Sequence, residues 1–500
     1  MTRLRRTLGS NPFALLAAFI AVVTVLRVVV LMMTPLNLGP DEAQYWSWSL
    51  RPDFGYFSKP PLIAWLIGAT TSACGSAEAC IRISAPFIHA TTSLFVFLAG
   101  KALYDQKTGI WSSLTYILIP GTSFSSLLIT TDVPLLCFWS LALWAVAEAR
   151  RDPAWKWHIL LGVAIGFGLL AKYAMLYFLL GITIAYLPSS SDRAFLFTRK
   201  MLGAVCVAIL VFSPNIIWNV AHGMATVRHT ASNANWGSSK LFNIGNALEF
   251  IVAQAGIIGP VAAIVIVWGL IRRWTDRDTP DTLMLSLSLP IITIVALQAF
   301  ISRANANWAA PAFVTLCILA CAWAVRKSHI RLLGVNTALN ASIGIVLGAL
   351  AVSPAFVSAM GQENSVKRLR GWNEAGRTII TIASSAPFEA IMSDDREDMA
   401  SLFYYTRTRS VPLRMWPSVS PGNEYEASYA LSPDVASLVL FVTRKQDVSV
   451  ITNSFASSER IGTIETRLDS KRTRIFYLYA LRGPMTASTF PNFSNRPSTE

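Results

Sequence analysis

This 500-residue sequence is short of charge: Asp, Glu, Lys and Arg together make up 14% of it, against 53% hydrophobic residues. That shortage excludes an ordinary soluble domain, because so much apolar surface exceeds what one core can bury. Strict apolar and polar alternation, the mark of a membrane β-barrel, is also missing. The apolar residues run in long stretches, so the backbone is satisfied inside helices. The net charge of +14 has no basic patch to match it. Lys and Arg are scattered over short loops, which argues against a nucleic-acid partner and fits the positive-inside rule. No clear cleavage site follows the first apolar run, Pro12 to Met33, which is too long for a signal-peptide core. It reads as a retained span behind Arg3, Arg5 and Arg6.

What is present is a series of apolar runs of spanning length, predicting about eleven transmembrane helices. They fall near 12–33, 82–103, 110–128, 133–149, 157–171, 173–187, 201–218, 245–271, 282–301, 308–325 and 332–357. The runs 157–171 and 173–187 are short and separated only by Lys172, so a broken or re-entrant pair is the other reading.

Loop charge sets the orientation. Alternate loops carry Lys101 and Lys107; Arg150, Arg151 and Lys156; Arg193, Arg199 and Lys200; Arg272, Arg273 and Arg277; and Arg326, Lys327 and Arg331. These loops, and the N-terminus, are placed in the cytoplasm. The opposite loops hold the unusual residues: Asp41, Glu42, Lys59, Asp132, His222, Arg228 and the run Asn305 to Trp308. Function is therefore expected on the outer face. The apolar stretch Pro61 to Ser72 is too short to span and predicts a helix lying in the interface.

Hydropathy falls from about Ser358. The segments 438–442 and 474–481 read as strands and 365–383 as a helix, predicting an α/β domain outside the membrane. The expected organisation is a transmembrane catalytic domain over 1–357 with a first outer loop at 34–81, a periplasmic α/β domain over 358–482, and a disordered tail over 483–500 rich in Pro, Ser, Thr and Asn. Of six cysteines, Cys137, Cys206, Cys317 and Cys321 fall in spans and read as packing residues. Cys74 and Cys80 share the first outer loop, where an oxidising compartment permits a disulfide between them; two free thiols are the alternative.

The first outer loop reads GPDEAQYWSWSLRPDFGYFSKPPLIAWLI, an acidic pair just past a span, an aromatic cluster, and Lys59 with two prolines leading into the interfacial helix. This loop resembles that of GT-C glycosyltransferases of family 39 type, which include protein O-mannosyltransferases and the bacterial aminoarabinose transferase that modifies lipid A. The resemblance extends to Leu128-Ile-Thr-Thr-Asp132, Leu170-Ala-Lys172-Tyr173, Pro214-Asn-Ile-Ile-Trp218-Asn219 with His222-Gly223, Asn307-Trp308-Ala-Ala-Pro311, and Gly371-Trp372-Asn-Glu, which together cover most of residues 35–375. It implies a polytopic α-helical membrane protein of GT-C type with a C-terminal α/β extracytoplasmic domain. It also implies an enzyme of the bacterial inner membrane with its active site on the periplasmic face. The implied donor is a polyprenyl-phosphate sugar, and the implied acceptor is lipid A or lipopolysaccharide, with protein hydroxyls as the second choice.

A sugar on a polyprenyl phosphate presents its anomeric carbon just above the membrane, with an anionic phosphate as leaving group. Transfer needs a base for the acceptor hydroxyl and cations or a metal for the phosphate. Asp41 is expected to be the base in an inverting displacement, or else the cap of the helix that follows. Glu42 orients the site or is a solvated neighbour. Asp132, followed by Val133-Pro134, is expected to act in catalysis, to cap its helix, or to do both. Lys59 is placed on the donor phosphate, with interfacial snorkelling as its other reading. Arg228 and His229 add positive charge there. Lys172 serves the donor or a structural ion pair, since an unpaired cation at that depth is costly.

His222 is a candidate ligand for a divalent metal or the donor. Where relatives such as the aminoarabinose transferase carry an acidic residue directly before the Lys-Pro-Pro run, this chain has Ser58, which weakens the case for a metal site there. Tyr45, Trp46, Trp48, Tyr56 and Phe57, together with Asn307 and Trp308, are candidates for sugar contact, although Trp and Tyr also collect at interfaces for purely physical reasons. A secondary transporter would share the many spans, but no internal repeat is present and the charges gather at one face instead of the midplane. A non-catalytic membrane scaffold would leave the acidic pair unexplained.

Overall fold

The structure, a computed structural model, describes residues 11–232, 242–275, 280–418, 420–432 and 438–483. It forms two compact units. The first comprises the described residues up to Thr34 with Asp53–Gly55 and Lys59–Val352, and the second comprises Pro35–Pro52, Tyr56–Ser58 and the described residues from Ser353 onward. The first outer loop, expected to be one appendage of the membrane domain, is thus divided between the two units.

The first unit is helical and multi-pass. Among the described residues seven helices are long and apolar enough to cross a membrane, or eight when a bent pair counts as one span. The seven are Pro12–Met33, Glu78–Leu103, Asp132–Arg151, Arg199–Ala221, Asp281–Ile301, Ala306–Arg326 and Ile330–Val352. Three shorter apolar helices accompany them: Leu62–Cys74, Trp155–Ala171 and Tyr173–Tyr186. Leu62–Cys74 occupies the stretch expected to lie in the interface. The gap between seven or eight helices and the eleven apolar runs has local causes. Pro120 lacks a backbone N–H, and the run expected as one span over 110–128 breaks into Gln106–Leu118 and Pro120–Ser125. The run 245–271 bends by 114° between Ile244–Ile258 and Pro260–Ile271. Gly259 sits at that corner with φ +91, and a Cβ there would meet Asn340 Oδ1 at 2.4 Å.

The first helix shows why it starts where it does. Asn11 caps it, its side chain accepting the Phe13 N–H at 3.0 Å with Pro12 in the first turn. Twenty-two residues at about 1.5 Å each cover the hydrocarbon thickness. Arg27 is the anomaly in that helix: it is 8% exposed, and its Nη2 donates to Ile117 O at 2.5 Å and Ser123 Oγ at 3.1 Å. Ile117 lies in the turn interrupted before Pro120, so Arg27 restores a donor that the break removed.

The helix Ala310–Arg326 is the centre of the unit, with every residue from Ala310 to Ala324 buried. Small and hydroxyl residues also bring helices together, as where Ser93 and Ser113 exchange hydrogen bonds of 2.8 to 3.0 Å. Asp281, fully buried, accepts from Tyr104 Oη at 2.8 Å, Trp323 Nε1 at 2.8 Å and Arg326 Nη2 at 2.5 Å. Three helices are tied by one carboxylate. The structure holds a disulfide between Cys74 and Cys80, with their Cα atoms 6.0 Å apart. Among the described residues Cys137, Cys206, Cys317 and Cys321 are free thiols.

The second unit is α/β. Its five strands are β1 (Ala390–Ser393), β2 (Leu413–Met415), β3 (Leu438–Thr443), β4 (Ser457–Arg467) and β5 (Thr473–Arg482), ordered β2-β1-β3-β5-β4. β1 pairs in parallel with β2 and β3, whereas β3 with β5 and β5 with β4 are antiparallel. Every residue of β3 is buried, as a central strand requires, and β4 is a mostly exposed edge carrying Glu459, Arg460, Glu465 and Arg467. The expected helix over 365–383 is broken: short turns at Glu363–Val366 and Lys367–Leu369 precede the helix Trp372–Ser384, which buries Trp372, Ala375, Gly376, Ile379 and Ala383 along one stripe. The expected tail lies, beyond Gly483, outside the described residues, as do Arg3, Arg5, Arg6 and Arg277.

Candidate active site

In the second unit the sequence Gly39-Pro40-Asp41-Glu42 builds the start of a helix, Pro40–Ser49. Gly39 is its N-cap, Pro40 presets the first turn, and Glu42 at the third position reaches back so that its Oε2 accepts the Gly39 N–H at 2.8 Å. Two carboxylates in the first turn also suit the positive end of the helix dipole. The two acids then part company. Glu42 is buried at 4% exposure, whereas the Asp41 side chain is 66% exposed.

Asp41 Oδ1 accepts from Arg396 Nη1 at 3.1 Å, and the same nitrogen donates to Gln44 Oε1 at 2.6 Å. Arg396 opens the helix Arg396–Tyr405, and that helix grips the first-loop segment at several points. Tyr404 meets Trp46 edge to face at 4.9 Å, and the Leu38 N–H donates to Tyr405 Oη at 2.6 Å. Farther back, the Trp372 N–H donates to Asn37 Oδ1 at 3.0 Å.

The helix Arg396–Tyr405 is itself anchored. The Asp395 side chain caps it, accepting from the Glu397 and Asp398 amides at 2.8 and 3.0 Å, and Arg444 reaches both Asp395 and Asp398. Burial pushes the Asp398 carboxyl up to about 7 even though Arg444 beside it favours the ionised form.

The aromatic candidates in this unit are internal. Tyr45, Trp46, Trp48 and Tyr56 are each 5% exposed or less. Trp48 stacks on Tyr56 at 4.7 Å and lies 5.4 Å from Tyr45, and Tyr56 Oη donates to the Trp48 and Arg51 carbonyls, both at 3.2 Å. These rings pack the loop against itself, Tyr45 and Tyr56 among them. Phe57 is half-buried and its N–H donates to Glu424 Oε2 at 3.1 Å.

In the first unit the structure joins three residues that lie far apart in sequence. Lys172 Nζ donates to Asp132 Oδ1 at 2.6 Å, and Asn307 Nδ2 donates to Asp132 Oδ2 at 2.7 Å. Asp132 opens the helix Asp132–Arg151, whereas Lys172 ends Trp155–Ala171 in an extended conformation, so each charge complements its helix dipole. Asn307 stands on the 3-10 turn Ala306–Ala309, and the neighbouring Trp308 packs half-buried against the core.

Next to Lys172, Tyr173 Oη donates to Asn215 Oδ1 at 2.8 Å and accepts from Asn219 Nδ2 at 3.1 Å. Asn215 Nδ2 in turn donates to Phe54 O at 2.6 Å, and Trp218 Nε1 donates to Asp53 Oδ2 at 2.8 Å. Gly55 must be a glycine for this docking, since a Cβ would sit 2.3 Å from the Trp218 ring. The Pro214 to Asn219 motif therefore seats the loop turn Asp53–Gly55.

His222 stacks on Trp218 at 4.1 Å, and its Nδ1–H donates to Trp218 O at 2.8 Å. Lys59 is half-buried just ahead of the Leu62–Cys74 helix, and Arg228 is exposed on the helix Ala225–Ser232. Among the described residues no three His, Cys, Asp or Glu side chains converge on one point, at His222 or elsewhere.

Residues 58–218 match the family model described as dolichyl-phosphate-mannose-protein mannosyltransferase. The chain is 34% identical over 423 residues to the lipid A galacturonosyltransferase RgtD of Rhizobium johnstonii, a match that covers 84% of this chain and 89% of that protein. It is also 30% identical over 219 residues to the lipopolysaccharide core galacturonosyltransferase RgtA of the same organism, covering 43% of this chain and 42% of that one. Among solved structures, ArnT from Cupriavidus metallidurans bound to undecaprenyl phosphate superposes with a TM-score of 0.67 at 16% identity, covering 95% of this chain and 98% of that chain. The fold is that of ArnT, and by its likeness to RgtD this chain belongs to the family of GT-C membrane glycosyltransferases.

Proposed function

We propose that this protein transfers galacturonic acid from a polyprenyl-phosphate carrier to lipid A at the periplasmic face of the bacterial inner membrane. The acceptor and the sugar rest on the likeness to RgtD, which extends over most of both chains. A lipid-phosphate donor accords with the ArnT fold. The outer-face placement rests on the alternation of basic loops.

One observation carries the chemistry: of the three acids Asp41, Glu42 and Asp132, Asp41 alone combines high exposure with a carboxylate oxygen, Oδ2, that has no protein partner among the described residues. Both Asp132 oxygens are engaged, and Glu42 is the buried half of a capping box. Asp41 Oδ2 is assigned as the general base. It takes the proton of the acceptor hydroxyl as that oxygen bonds to the anomeric carbon. The bond from that carbon to the phosphate oxygen breaks on the opposite face, so configuration inverts and polyprenyl phosphate departs with the electron pair. The phosphate is a good leaving group and needs no strong acid; Lys59 and Arg228 are assigned to its charge.

Glu42 is assigned to shaping the helix that presents Asp41. Asp132, Lys172 and Asn307 are assigned to holding the helix ends of the membrane unit in register, and Trp308 to the wall behind Asn307. Purified protein in proteoliposomes with polyprenyl-phosphate galacturonic acid and lipid A tests the reading, with mass spectrometry of the lipid product. A gain of one uronic acid residue on lipid A supports it. Transfer to added protein only, or movement of a solute with no covalent product, overturns it.

A further inference from the structure

Arg396 stands in an odd place for a guanidinium. It is the first residue of its helix, where the dipole disfavours a cation, and it follows two acidic residues and precedes two more in the run Asp394-Asp395-Arg396-Glu397-Asp398. Its side-chain hydrogen bonds go neither to those neighbours nor to its own helix. A single nitrogen, Nη1, bridges Asp41 Oδ1 and Gln44 Oε1, which lie three residues apart on one face of the Pro40–Ser49 helix. Gln44 is 2% exposed, so it fixes the guanidinium from the buried side while Asp41 takes the exposed side. Behind Arg396 the cap on Asp395 and the Arg444 pairs to Asp395 and Asp398 hold the helix start in place. Burial alone would lower the Arg396 guanidinium, yet Asp41, with smaller help from Glu397 and Tyr425, holds it above its ordinary value.

We infer that Arg396 is a positioning residue for the base: it locks one oxygen of Asp41 and so aims the other at the acceptor hydroxyl, making the C-terminal α/β unit part of the catalytic apparatus. An ordinary surface ion pair between these residues would do little for stability or rate. The inference rests on the reading of Asp41 as base, and it concerns a residue 355 positions away in the chain. Misaiming a reacting group by about 1 Å can cost about 100-fold in rate without loss of substrate binding.

The test compares R396Q, R396K, Q44M and D41A in the full-length protein, with kcat and donor KM measured separately in proteoliposomes. R396Q is expected to lower kcat by about 10- to 100-fold and to leave donor KM within about threefold. R396K, which keeps a donor and the charge, is expected to recover at least half of that loss on a logarithmic scale. Q44M frees the guanidinium without removing it and is expected to cost about 3- to 10-fold in kcat. That variant decides the matter should R396Q fail to fold. Unchanged kcat in R396Q or in Q44M, with D41A inactive, overturns the positioning role and leaves the base assignment standing. Full activity in D41A overturns the base assignment instead. A rise in donor KM at constant kcat also contradicts the inference, because it makes Arg396 a donor-binding group.

Discussion

Lys172 Nζ lies 2.6 Å from Asp132 Oδ1, so the end of one membrane helix is joined to the start of another through a pair whose side chains are only 19% and 8% exposed. Removing one partner strands a charge in a place where water cannot reach it freely. The Lys172→Met protein is expected to lose about 3–5 kcal/mol of stability, read as a lower unfolding temperature in detergent. Combining it with Asp132→Asn is expected to return part of that loss, since the double variant leaves no bare charge. A neutral Lys172→Met would mean that the pair holds nothing together.

The two neighbouring acids of the first loop are expected to separate cleanly. Asp41→Asn keeps the shape of the side chain and removes the base, and transfer is expected to fall by at least about 100-fold. Glu42→Gln can still accept the Gly39 N–H and complete the capping box, so activity within about threefold of the parent is expected. The reverse ranking would move the base to Glu42.

Arg27 lends itself to a purely structural test. Arg27→Leu leaves the Ile117 carbonyl without its donor inside the bilayer, and a loss of about 1–3 kcal/mol in thermal unfolding is expected. The effect is expected to shrink when Pro120→Ala is added, because the broken turn can then close through its own backbone. Additive losses in the double variant would contradict this explanation of the arginine.

Asp398 gives the C-terminal unit a pH dependence. Its carboxyl is raised to about 7 by burial, well above the ordinary carboxylate value. A raised acid binds a proton more tightly in the folded state than in the unfolded one. The stability this contributes is complete below the ordinary value and is lost as pH climbs through about 7. The unfolding temperature of this unit is therefore expected to fall between about pH 4 and pH 7, and Asp398→Asn is expected to flatten that slope. Equal slopes in the two proteins would remove Asp398 as the cause.

Hydropathy and loop charge made the helical membrane unit legible, because a span must satisfy its own backbone and so writes itself as a continuous apolar run. The breaks were harder to read. Lys172 marked one by its charge, whereas Pro120 and Gly259 were visible as residues without the tertiary contacts, such as that of Gly259 with Asn340, that turn them into corners. Asp41 and Glu42 looked alike in sequence, and only the capping geometry told them apart. Tyr45 and Tyr56 read as sugar platforms or, more readily, as an interfacial belt, and their burial in internal packing was not legible. Arg396 had no local signal at all. It lies in an acidic run that looks like a solvated surface, and its meaning comes from a partner across most of the chain.

The central claim is tested most directly by the lipid A product itself. With purified protein, polyprenyl-phosphate galacturonic acid and lipid A in sealed proteoliposomes, the account predicts lipid A carrying one added galacturonic acid residue, formed with inversion at the anomeric carbon and absent with Asp41→Asn. Lipid A unchanged by the active protein, or a product that retains the donor configuration, would contradict it.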